Sequence, residues 1–222
     1  GTATYLNNLV RSSQDLEIEH LIVLGSVQGE EVEDGRVSTL PHIRIISLGR
    51  KINFLSDFKS WIKLRQIVKT YKPDVINSHT FKAGLIVRML PTRIPILHTF
   101  HGHLLNDPEF SFLKRQIILA IERILSKRAS ALSVTGTRVQ LDLEESGIKH
   151  KRWFCIVPGL EELQQIPKAE SLARLGIEDS NNYSLIIGWH SRFAPVKNVP
   201  LVLEIASQLN DVMFLLSGGG PL

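Results

Sequence analysis

Cysteine is nearly absent from this chain: Cys155 is the only one in 222 residues. No internal disulfide can form, which sets aside the small disulfide scaffolds and points to reducing cytoplasm. Cys155 lies in the apolar run WFCIV, where a buried, inert thiol is expected rather than a nucleophile. No apolar run approaches the roughly 20 residues that a membrane-spanning helix needs. The first residues, GTATYLNNLV, lack the basic start and cleavage site of a secretory leader. Charge of one sign does not dominate, the formal net charge being +4. That suits an anionic substrate or an anionic membrane surface. No stripe of interleaved basic and aromatic residues argues for nucleic acid. Solenoid repeats and low-complexity segments are also missing.

What is present is alternation. Pattern and punctuation predict helices at Thr2–Arg11, Asp57–Tyr71, Lys82–Leu90, Phe110–Lys127, Arg138–Ser146 and Ala169–Leu175. Between them, apolar runs predict strands at Glu19–Gly25, Ile43–Leu48, Asp74–His79, Ile94–Phe100, Ala131–Thr135 and Trp153–Val157, with a polar loop at Gln28–Gly35. Such alternation implies parallel βαβ units in a doubly wound α/β sheet, with ligands beyond the carboxyl ends of the strands. Those ends carry His79, the group His98 to His103, Thr135 to Thr137, and Arg192 with Lys197. The irregular stretch Gly159–Lys168 marks a boundary between domains spanning 1–160 and 161–222. Gly1 is not a start methionine and Leu222 follows a glycine loop, so a fragment cut inside a domain at each end is expected, and one that is inactive by itself.

The stretch from Tyr183 carries the densest chemistry. An apolar strand is read as ending at Gly188; a loop then brings Arg192 and Lys197 to a helix start, and a second strand ends in Gly218, Gly219 and Gly220. Arginine offers a planar fork to two phosphate oxygens and lysine a mobile point charge. Glycine lets backbone approach those oxygens, and a helix N-terminus adds partial positive charge. Asn198 is expected to cap the helix, with Pro200 in its first turn. The plain alternative is a solvated loop with surface cations.

The linked segments GWHSRFAPVKN and VMFLLSGGGPL resemble the family 4 retaining glycosyltransferases, whose pattern runs roughly G-R-L-x-P-x-K-N and then a strand ending G-D-G-P-L. DVINSHTFKAGLIVRMLPTRIPILHTFHGHLL and ALSVTGTRVQLDLEESGI are similar to two further segments of that family. The resemblance spans nearly the whole chain. It implies the GT-B fold of two Rossmann-like domains with parallel sheets, the second incomplete here. It also implies transfer of a sugar from a nucleotide-diphosphate donor, such as a UDP-sugar, with configuration retained and no further cofactor or metal. The acceptor would be a glycan or lipid-linked molecule in polysaccharide or cell-surface glycan synthesis. By position, Arg192 and Lys197 match the family's cations for the diphosphate leaving group, and His101 its histidine at the transferred sugar. Gly1, Gly188 and the three glycines would border the donor; Lys82, His79 and Thr135 would face the acceptor.

Plain readings stand beside these. His98 reads as a core histidine, Lys82 equally as a solvated helix-start lysine, and Thr137 as a helix cap. A zinc site from His79, His101 and His103 lacks a nearby carboxylate. In the helix FSFLKRQIILAIERILSKRAS, Leu113, Ile117, Ile118, Ile121, Ile124 and Leu125 form an apolar face beside basic residues. Such a helix can lie on the inner face of a membrane, although core on one side and solvent on the other is the plainer reading, and Glu122 interrupts the basic face. Two further readings share the fold: a nucleotide-sugar 2-epimerase, and a non-catalytic module that binds a sugar nucleotide. The sequence departs from the family with Phe193 after Arg192 and Leu160 after Pro158-Gly159, and it ends before the position of the family's paired glutamates beyond the glycine loop.

Overall fold

The computed structural model describes residues 2–27, 35–49, 52–102, 111–159, 164–177 and 182–220. These residues fall into two compact units, one within Gly1–Leu105 and Phe112–Glu161, the other including Glu162–Leu222. Of the expected Gln28–Gly35 loop only Gly35 is described.

The first unit runs α1 (Thr2–Ser12), β1 (Ile22–Leu24), α2 (Gly35–Ser38), β2 (His42–Arg44), α3 (Phe54–Tyr71) and β3 (Ile76–His79). It continues with α4 (Phe81–Arg88), β4 (Ile96–Phe100), α5 (Phe112–Leu125), β5 (Ala131–Val134), α6 (Thr137–Glu145) and β6 (Trp153–Cys155). Every ladder is parallel, as βαβ alternation requires. Two separate sheets result, β1-β2 and β3-β4-β5-β6, rather than one continuous sheet. Among the described residues no strand pairs with both.

Local chemistry sets the element ends. The Asn53 side chain accepts from the Ser56 N–H at 3.1 Å and opens α3. Lys72 turns into the left-handed region at φ 52°, its N–H reaching back to Val68, and Pro73 then forbids continuation. Two apolar clusters lie under the helices. One gathers Ile45, Leu64, Ile86, Val87, Leu90 and Ile96. The other gathers Phe100, Leu119, Ala129, Leu132, Val134, Leu143 and Ile148.

Between α4 and α5 lies a buried ion pair. Arg88 donates through both terminal nitrogens to the Glu122 carboxylate at 2.7 and 2.8 Å, and through Nε to the Gly84 carbonyl at 2.9 Å. The two side chains are 0% and 1% exposed. Glu122 therefore points inward and interrupts nothing on the outer face of α5. The apolar face expected on that helix is divided: Ile118 and Leu125 are buried, while Leu113, Ile117 and Ile124 are exposed.

Other local expectations also give way. Cys155 is exposed, because β6 is the edge strand of its sheet. Thr137 is the first helical residue after an N-cap at Gly136, and no side chain caps α6.

The second unit contains α7 (Lys168–Arg174), β7 (Leu185–His190), α8 (Val199–Gln208) and β8 (Val212–Ser217). β7 and β8 pair in parallel from Leu185 with Val212 through His190 with Ser217. The ladder extends two residues past Gly188, so this glycine sits within a strand rather than at its end.

Replacing Glu122 with alanine leaves a guanidinium buried without its partner and should cost about 3–5 kcal/mol of stability. Replacing both charges together, Arg88→Met with Glu122→Leu, should recover most of that loss. Urea unfolding of the parent and both variants checks this; equal losses in the single and double variants would contradict it.

Candidate functional site

The strands of the larger sheet end in polar side chains at one edge. His79 closes β3, and His101 follows Phe100, which closes β4. Parallel register places these ends side by side, His79 opposite Thr99. The two rings meet, with His79 Nδ1 and His101 Nε2 sharing a hydrogen bond at 2.9 Å. Tyr5 of α1 packs against both, its ring 4.9 Å from that of His101, edge to face, and 5.8 Å from that of His79. Burial, and then the charge of His101, pull His79 down from 6.5 to about 4. Burial also lowers His101. Both rings are thus held neutral near pH 7, the form that can accept as well as donate a hydrogen bond.

The turn behind His79 is strained. Thr80 has φ 70°, a region that a β-branched residue rarely occupies. Behind β4, His98 is fully buried, with Nδ1 3.0 Å from the Ser78 hydroxyl. Burial, and then the neighbouring Arg88 charge, lower it well below its ordinary value. It is a core histidine packed under Gly84 of α4, where a Cβ would strike the imidazole.

Lys82 is not a solvated lysine. It is buried, with Nζ 2.6 Å from Asp57 Oδ1, and so ties the start of α4 to the start of α3. Thr135 is half-buried just beyond β5, one step past the Phe100–Val134 pair. Beside Tyr5, a groove of about 700 Å³ is bordered by Asn8, Leu9, Ser12, Ile156, Val157 and Gly159. Asn8 donates to the Gly159 carbonyl at 2.8 Å and fixes α1 against the segment after β6.

In the second unit, the loops after β7 and β8 run against each other. Ser191 N–H donates to the Ser217 carbonyl at 3.1 Å, and Phe193 N–H to the Gly219 carbonyl at 2.9 Å. Gly218 has φ 150°, and a Cβ there would collide with the Ser191 carbonyl oxygen. A Cβ at Gly220 would strike the Phe193 carbonyl, whereas Gly219 has open space. Two of the three glycines are therefore needed for loop to meet loop. Trp189 and Phe193 pack beneath, with ring centroids 5.8 Å apart. Arg192 and Lys197 are both exposed and, among the described residues, neither has a carboxylate partner. Lys197 ends a single 3₁₀ turn anchored by buried Ala194. Asn198 sits at the N-cap of α8 in the left-handed region, but its side chain makes no capping bond; Pro200 is in the first turn as expected.

A family model, the glycosyl transferase 4-like domain, matches residues 1–159. The chain belongs to that family. Among curated proteins none matches the sequence. Solved structures similar to this glycosyl transferase 4-like chain include HepE of Anabaena in complex with UDP, at TM-score 0.71 and 19% identity, over 100% of this chain and 58% of that one. MnaA of S. aureus with UDP aligns at TM-score 0.54 and 18% identity, over 97% of this chain and 59% of that one. A UDP-N-acetylglucosamine 2-epimerase of Rickettsia bellii aligns at 0.50 and 13%, over 98% and 60%. The fold is thus the GT-B type of α/β protein, and this chain spans less than two thirds of those structures.

The structure brings His79 and His101 together and sets Thr135 at the same edge. It brings Gly218 and Gly220 against the loop bearing Arg192. Gly188 lies back in β7, and Gly1 and His103 lie outside the described residues. Among the described residues no three metal-ligating side chains gather. Sequence reasoning missed Tyr5: in TYLNNLV it reads as one more apolar helical residue, and only the fold sets its ring on two histidines. It also missed the Arg88–Glu122 pair, whose partners are far apart in sequence.

The folded state favours neutral His79, while the unfolded chain protonates it near 6.5. The unfolded chain therefore holds more protons between about pH 6.5 and about 4. The contribution of His79 to stability should fall as pH drops through that window and change no further below it. His79→Gln should flatten the profile in part, since His98 and His101 carry the same sign. Thermal unfolding across the window measures this, and an identical slope in the variant would refute it.

Proposed function

We propose that the protein is a retaining glycosyltransferase of hexosyltransferase type. It moves a sugar from a nucleotide-diphosphate donor to a glycan or lipid-linked acceptor, in the building of polysaccharide or cell-surface glycan. The observation that carries this reading is a family 4-like domain joined to a loop pair presenting two exposed cations, Arg192 and Lys197, beside a glycine bend. UDP in two of the similar structures supports uracil as the donor's base. The lone cysteine fits a reducing compartment, so we place the reaction in the cytoplasm.

Cleavage of the donor's glycosidic bond builds negative charge on the departing diphosphate. Preplaced cations stabilise that charge, with the guanidinium of Arg192 spanning two oxygens and Lys197 adding a mobile charge. The phosphate that leaves accepts the proton of the attacking acceptor hydroxyl. His101 spends Nε2 on His79 and keeps Nδ1 for a sugar hydroxyl, which places the anomeric carbon. Thr135, just beyond β5 at the same edge, is assigned to donate to the acceptor. The buried Lys82–Asp57 pair leaves Lys82 a scaffold role at that edge.

A nucleotide-sugar 2-epimerase is the second reading, favoured by the epimerase among the similar structures. It would need carboxylates for proton removal at C2, and among the described residues none hydrogen-bonds to His79 or His101. The full-length protein given a UDP-sugar decides between the two. Acceptor-dependent release of UDP, with the product anomer matching the donor by NMR, supports the transferase. Inversion at C2 without acceptor supports the epimerase. Arg192→Ala and Lys197→Ala should each lower kcat about 100-fold or more; parental turnover in either would overturn its assigned role.

A further inference from the structure

The segment that carries His79 is fixed on both sides. Before it, β3 is laddered to β4, with His79 opposite Thr99. After it, Thr80 holds φ 70° and ψ 158°, a region that glycine alone enters without strain. The Thr80 carbonyl accepts from the Gly84 N–H at 3.0 Å, which ties the strained turn to α4. Lys82, in the first turn of that helix, is clamped to Asp57. A β-branched residue persists in such a conformation only where its surroundings over-determine it, and such places gather at functional sites. The outcome here is a His79 ring held at the strand end, with Nδ1 2.9 Å from His101 Nε2.

His101 lies one residue past the last ladder pair of β4, so backbone pairing does not set its ring. Side chains do. Tyr5, 7% exposed, lays its ring 4.9 Å from that of His101 and at 81° to it. Asn8, one turn further along α1, anchors that helix through the Gly159 carbonyl. A hydrogen bond from one side and an edge-to-face ring from another leave the imidazole little freedom. A plain stitch between β3 and β4 would need the bond alone. The third ring comes from a helix outside the sheet and closes on the same residue.

We propose that His79 and Tyr5 are positioning residues, which together set the orientation of the His101 ring toward the transferred sugar. The effect on turnover rests on the transferase reading; the holding of the ring does not. His79, expected from the sequence to face the acceptor, instead gives its Nδ1 to His101. A misplacement of about 1 Å at a reacting centre can cost about 100-fold in rate, so loosening the ring falls on kcat.

The test uses the full-length protein with a UDP-sugar and an acceptor. His79→Leu cannot share the bond, and Tyr5→Leu removes the ring. Each should lower kcat about tenfold or more, with both KM values within about twofold of the parent. His79→Asn places an amide where Nδ1 stood, and Tyr5→Phe keeps the ring, so each should recover most of the loss. In a His101→Ala background, His79→Leu should change kcat by less than about twofold, because its effect runs through His101. A raised acceptor KM at unchanged kcat would make His79 an acceptor contact and overturn the proposal. An undiminished His79→Leu loss in the His101→Ala background would overturn it too. NMR of the protein without substrates reads the ring directly. Tyr5 should impose a ring-current shift on the His101 ring protons, lost in Tyr5→Leu and in His79→Leu and restored in His79→Asn. Should His79→Leu fail to fold, His79→Gln, whose amide reaches past the position of Nδ1, takes its place. Retention of the shift without the bond would refute the holding of the ring. A parent without turnover counts against the transferase reading alone, and the shifts still decide the rest.

Discussion

A guanidinium and a carboxylate sealed from water hold the first unit in register. Arg88 reaches Glu122 across the gap between α4 and α5 and, through Nε, the carbonyl of Gly84 on its own helix. Gly84 lies directly over the ring of His98 in β4. The pair therefore fixes two helices against the strand whose end presents His101. Desolvating both charges costs nearly as much as their attraction returns. What the arrangement supplies is a set position: the two-pronged geometry tolerates little sliding of one helix on the other.

Much of the architecture was legible because parallel strands buried on both faces read as short apolar runs between helical periods. β3, β4 and β5 appear where such runs lie, the first two shortened at their starts and β5 at its end. Side-chain direction was harder to read. Glu122 in a basic helix looks like a surface residue until its partner, 34 positions away, comes into view. Lys82 looks solvated at a helix start, yet Asp57 lies across from it. Cys155 sits in an apolar run, but its strand is at a sheet edge, and edge position is a property of topology rather than of the run itself.

The candidate site divides in the same way. Strand ends could be located from the pattern, so His79 and His101 were marked separately; their contact depends on parallel register, which no local signal states. The glycine run was read as a path for backbone toward phosphate. In the structure Gly218 and Gly220 let one loop pass close against another, and the cations are carried on the loop so positioned. Tyr5 gave no polar signal, since a tyrosine in an amphipathic helix serves packing as readily as chemistry.

The bond joining the two imidazoles has a further consequence. It requires one nitrogen with hydrogen and one without, so the tautomers of the rings are coupled. If His79 donates, His101 is left with hydrogen on Nδ1 and offers a donor outward. If His101 donates, the same atom becomes an acceptor. The polarity that Nδ1 of His101 presents is therefore chosen one ring away, at His79.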